Sequence, residues 1–90
     1  MNDAAAGDLA AQMLLWLARA PERLQAFMRA TGADARTILD EAESPWLHMA
    51  VLDFLLADEA LLMQFCAETG TDPQLPARIW NRLRGGVDGA

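Results

Sequence analysis

Cys66 and His48 are the residues of this chain best suited to nucleophilic, acid–base or metal chemistry, and each occurs once. A structural zinc site commonly draws four ligands from Cys and His. Cys66 and His48, on different predicted helices, supply only half such a set. As a catalytic base, His48 needs a nucleophile and an orienting acid within reach. Asp53, five residues on, points about 140° away on the same helix. No positive charge flanks Cys66 to lower its pKa, so it reads as a small buried hydrophobe.

The other polar groups meet similar objections. Asp58 and Glu59 look like an acid pair, but a helix start favours negative charge there in any case. Gly85 and Gly86 stop a helix instead of opening one, so no glycine-rich phosphate loop is present. No nucleophile, base and orienter assemble, and the sequence reads as a non-enzymatic chain with no cofactor and no metal.

Two surfaces remain. Asp40, Glu41 and Glu43 close the third predicted helix, where acids oppose the dipole and Arg36 compensates in part. They read as a solvated acidic face, with a contact for an arginine-bearing partner or pairing within the chain as the alternatives. The segment Arg78 to Arg84 places Trp80 beside an arc carrying Arg78, Arg82 and Arg84. Tryptophan and arginine are enriched at interface hot spots, and arginine forks suit carboxylates or phosphates. These four residues are the candidate binding site.

The elements that position these residues are helical. Ser44 caps and Pro45 opens a central helix at about residues 45–57. Leu47, Val51, Phe54 and Leu55 fill one arc of it, and Met49, Leu52 and Leu56 a second, so neighbours must cover it on several sides. Ahead of it, Asp8 caps a first helix facing inward through Leu9, Met13, Trp16 and Leu17. Pro21 opens a second, with Leu24, Phe27, Met28 and Thr31 on one face, ended by Gly32. Asp34 caps a third with Ile38, Leu39 and Ala42 inward. After the central helix, Asp58 caps a fifth with Leu62, Phe65 and Cys66 inward, ended by Gly70. Asp72 and Pro73 open a sixth, lined by Leu75, Ile79 and Leu83.

A shift of about 38 residues, within the range of helical repeats, superposes core and cap positions. Leu14 falls on Leu52, Leu17 on Leu55, Leu24 on Leu62, Phe27 on Phe65, Thr31-Gly32 on Thr69-Gly70 and Asp34 on Asp72. The pattern predicts an all-α, compact bundle of five or six short helices, arranged as two similar three-helix halves around the central one. A single domain spans residues 1–90, with 1–7 and 86–90 as disordered tails.

The net charge of −6 argues against general nucleic-acid binding, which rests on neutralising phosphates, and against anionic membranes. Residues 27–42 have a helix–glycine turn–helix outline, but Asp34, Asp40 and Glu41 against Arg36 alone do not suit a major-groove reader. Acids where a secretory signal needs positive charge, and apolar runs too short for a span, make the cytoplasm the expected location.

The stretches LARAPERLQAFMRATGADARTI and ESPWLHMAVLDFLLADEALLMQFCAETGTDP resemble a family of small, mainly α-proteobacterial proteins, number 3572 among the domains of unknown function. The resemblance runs from about Leu14 to Pro73 through Pro-x-x-Leu, Thr-Gly and Ala-Asp-Glu elements. In the family pattern an acid precedes the first proline and a glycine follows the second; Ala20 and Trp46 stand there here. The departures weaken one helix cap and add a surface indole. What the resemblance implies is a small helical domain, with no catalytic or ligand residues to carry over. The function expected is therefore an interaction or regulatory module for an unidentified protein partner or a second copy. The alternative is a small-molecule or anion binder using the arginine cluster.

Overall fold

The computed structural model describes residues 3–84, which form six helices. These are α1 (Asp3–Ala18), α2 (Pro21–Thr31), α3 (Ala35–Asp40), α4 (Pro45–Leu56), α5 (Glu59–Thr69) and α6 (Leu75–Leu83). No strand occurs among the described residues.

Local chemistry sets most of these boundaries. The side chains of Asp34, Ser44 and Asp58 accept from the amides of Thr37, Leu47 and Leu61 at 2.8, 3.2 and 3.1 Å. Each bond satisfies a first-turn donor that has no partner inside its own helix. Pro45 follows Ser44 at the first position of α4, where a missing N–H costs nothing. At the other ends, Gly32 (φ 78°) and Gly70 (φ 74°) take the left-handed conformation that terminates α2 and α5. Ala20 precedes α2 with no side-chain cap bond, the weakness its side chain implies.

α4 is the centre. Leu47, Val51, Leu52 and Leu55 are all 0% exposed, and α1, α2, α5 and α6 pack around the helix. Burying each such side chain contributes about 1.5–3 kcal/mol. α1 adds Ala6, Leu9, Ala10, Met13, Trp16 and Leu17; Phe27, Leu62, Phe65, Cys66 and Ile79 close the core.

α2 and α5 end in the same way. The Thr31 hydroxyl donates to the Phe27 carbonyl at 2.8 Å, and Thr69 does the same to Phe65 at 2.8 Å. Gly32 N–H donates to Met28 O at 2.8 Å and Gly70 N–H to Cys66 O at 2.9 Å. The aromatic contacts cross between the halves. Phe65 meets Trp16 edge-on at 5.4 Å, and Phe27 meets Phe54 edge-on at 5.3 Å, both with 76° between ring planes. The third helices differ: α6 packs on α4 and α1, whereas α3 reaches the core through the half-buried Ile38.

Three expected boundaries move. α1 begins at Asp3 and not after a cap at Asp8, so residues 3–7 are helix and not a tail. Alanine is the strongest helix former, and Ala6 and Ala10 are buried against the core. α3 is six residues long, and of its two adjacent apolar side chains only Ile38 packs against the core. Leu39 is 75% exposed, and Ala42 lies beyond the helix, exposed. α6 starts at Leu75 and not at Asp72, because Asp72 instead folds a turn: its carboxylate accepts from Gln74 N–H at 2.9 Å and its carbonyl from Leu75 N–H at 3.0 Å. The stop assigned to Gly85-Gly86 and the tail 86–90 lie outside the described residues.

Candidate functional site

The C-terminal candidates sit on α6, where Ile79 is buried and Leu75 and Leu83 pack against the core. That stripe divides the four residues. At about 100° per residue, Arg82 lies about 40° from Arg78, while Trp80 and Arg84 lie near the opposite flank. Arg78 is tied to Asp72, Nη2 to Oδ2 at 3.5 Å, with both side chains more than half exposed. Such a pair contributes little to stability. Arg84 lies over the Trp80 ring, 4.6 Å from Cζ to centroid, and the indole is itself half-buried against the core. The structure thus brings together Trp80 and Arg84 on one flank, with Arg78 and Arg82 on the other. The single arc read from the sequence is not formed, since six residues turn a helix through about 240° beyond a full circle.

The α3–α4 corner is more exposed and more firmly held. Ser44 N–H donates to Glu41 O at 2.8 Å, and His48 N–H to Ser44 O at 3.1 Å. The His48 Nε2 lies 3.0 Å from Ala42 O. A carbonyl oxygen only accepts, so Nε2 carries the proton and donates. The imidazole therefore pins the connector to α4. On this frame stand Leu39, 75% exposed, and Trp46, 50% exposed, at either end of a run holding Asp40, Glu41 and Glu43. Arg36 pairs with Asp40, Nε to Oδ2 at 3.3 Å, in full view of solvent. The surface indole at Trp46 is as the sequence implies; the exposure of Leu39 is not.

A cleft of about 630 Å³ opens beside this corner. α1 supplies Ala6, Gly7, Asp8 and Ala11; the connector, Ala42 and Glu43; α4 and α6, Pro45, His48 and Leu83.

A third cluster carries no signal in the sequence, because Trp16 and Glu68 at its centre are 52 positions apart. Trp16 Nε1–H donates to Glu68 Oε1 at 2.8 Å, and Gln64 Nε2–H to Oε2 at 3.1 Å. Arg23 stacks over the indole, Cζ 3.8 Å from the ring centroid. Its Nη1 is buried with no hydrogen-bond partner, its charge lying against the π face. The indole hydrogen bond, then that of Gln64, with Arg23 and Arg19 nearby, holds the Glu68 carboxyl below the ordinary glutamate range. The cluster fastens α5 to α1 and α2.

Cys66 is buried, and that burial, with the Asp72 carboxylate adding to it, pushes its thiol above the ordinary range. A thiol so placed is inert. Among the described residues no three His, Cys, Asp or Glu side chains gather to hold a metal ion. Nor is any described helix long and apolar enough to cross a membrane.

A family model described as "Protein of unknown function (DUF3572)" matches residues 3–86, nearly the whole chain. No curated protein and no solved structure matches it.

Proposed function

The chain belongs to the DUF3572 family of proteins of unknown function, and from that premise we propose that it is a cytoplasmic, non-enzymatic protein–protein interaction module. It docks a basic partner segment at the α3–α4 corner. The observation that carries this reading is the exposure of Leu39 and Trp46 at either end of the acidic run. Tryptophan is among the commonest interface anchors, and of the other exposed large apolar side chains, Leu15 and Met63, neither adjoins an acidic run in the chain. The acids favour a cationic partner and disfavour nucleic acid or an anionic membrane surface. Asp40 and Glu41 also sit at the C-terminus of α3, where the helix dipole works against them.

The Arg78–Arg84 segment supports this role less. Trp80 is packed against the core and covered by Arg84, and Arg78 faces away from both. An anion carrier needs those arginines to converge, which the two flanks of α6 work against.

The test is capture from source-cell lysate with three proteins: wild type, a Leu39→Ala/Trp46→Ala double variant, and a Trp80→Ala/Arg84→Ala double variant. Circular dichroism checks that each is folded. The reading expects a partner held by wild type and the α6 variant and released by the corner variant. Release by the α6 variant alone moves the surface to α6. No partner for wild type removes the reading.

A further inference from the structure

The cleft beside the corner is built in a way its packing does not require. Its volume of about 630 Å³ lies within the range of small-ligand pockets, about 300–1,000 Å³. Ala6, Gly7, Ala11, Pro45 and Leu83 make the lining apolar in part, and Asp8 and Glu43 are its two acidic residues. No arginine lines it, although every one of the seven basic residues of the chain is arginine.

Gly7 is the informative position. It lies inside α1, where glycine weakens a helix relative to alanine. A Cβ there would stand 3.5 Å from His48 Cε1, an ordinary van der Waals contact. Neither the backbone nor the neighbours therefore demand glycine. What glycine preserves is room above the imidazole, which is itself fixed by its Nε2–H bond to Ala42 O at 3.0 Å.

We propose that this cleft binds an organic cation: an ammonium or guanidinium head on an apolar stem. The head is held by the Asp8 and Glu43 carboxylates. The stem lies along Ala6, Gly7, Ala11 and Leu83. A free amine and a lysine or arginine side chain of a protein share this chemistry, and the site reads the head and stem common to both. The inference goes beyond the docking reading; the two share Glu43, but Asp8, Gly7 and the cleft itself belong to this one alone.

The test uses the full chain and amide chemical shifts at Gly7, Ala11 and His48. Hexylammonium and agmatine represent free amines, and a capped peptide of alternating leucine and arginine represents a side-chain source. Hexanol and hexanoate are the neutral and anionic controls. The cations are expected to shift these amides and the controls are not. Glu43→Gln and Asp8→Asn each weaken binding about tenfold, the size of one lost charge contact. Gly7→Leu fills the cleft and abolishes binding; if it fails to fold, Gly7→Ala with its smaller loss takes its place. Amines alone binding identifies a small-molecule site, and the peptide alone a side-chain site; either supports the proposal. Silence from all cations at about 10 mM, equal shifts with hexanol, or indifference to both carboxylate variants overturns it. The lysate capture at Trp46 is read separately, so either idea can fail alone.

Discussion

Trp16 and Phe65 meet edge to face, 5.4 Å between ring centroids, although Trp16 lies in the first helix and Phe65 in the fifth. Phe27 and Phe54 repeat that contact with the partners exchanged between halves, at 5.3 Å and the same 76°. Edge-to-face pairs add about 0.5–1.5 kcal/mol beyond the area they bury.

Phe27→Ala and Phe65→Ala are each expected to cost about 3–5 kcal/mol, since both side chains are 0% exposed. Urea denaturation monitored by circular dichroism measures both. A cost below about 1 kcal/mol at either position is incompatible with the packing described.

Glu68 makes stability depend on pH. Its folded-state pKa is depressed, chiefly by the Trp16 indole N–H, so the native state binds fewer protons than the unfolded chain. Stability from this group is full above the unfolded-state pKa and is lost as pH falls through the folded one, in the acidic range. Glu68→Gln should flatten the acid limb of a thermal-melt series. Asp34, depressed by its cap bond to Thr37 N–H, contributes in the same direction. Asp34→Asn should remove that titration while keeping the cap.

Two glycine substitutions should have opposite signs. Gly7→Ala is expected to stabilise by about 0.5–1 kcal/mol, because α1 gains a better helix former in space that accepts it. Gly32→Ala is expected to destabilise by about 1–2 kcal/mol despite open space around it, because its φ of 78° is left-handed. Thermal melts of the pair decide the matter.

The caps give a matched comparison. Ser44→Ala removes the bond to Leu47 N–H and should cost about 1 kcal/mol. Ala20→Ser supplies the missing acceptor at the equivalent position before Pro21 and should return a similar amount. If Ala20→Ser lowers the melting temperature, the extended backbone at that position is not acting as a cap.

Much of the fold was readable because helix ends are local. Asp34, Ser44 and Asp58 each bond an amide three residues on, so residue type and spacing suffice. Gly32 and Gly70 were readable for the same reason. Leu39 was misplaced because a wheel gives the direction of a side chain but not whether a neighbour stands there. Trp16–Glu68 was invisible, since nothing near either residue encodes a bond across 52 positions. At the candidate site, the angles of Arg78 and Arg84 were available from the sequence and exclude a single arc. The cleft was not, because three separate segments enclose it.

The crossed aromatic contacts bear on how the chain can come apart. Each half lends one ring to the other: Trp16 to Phe65, and Phe54 to Phe27. A chain cleaved in the connector between α3 and α4 therefore yields two fragments, each with two rings lacking their mates: Trp16 and Phe27 in one, Phe54 and Phe65 in the other. Mixing the fragments restores both contacts.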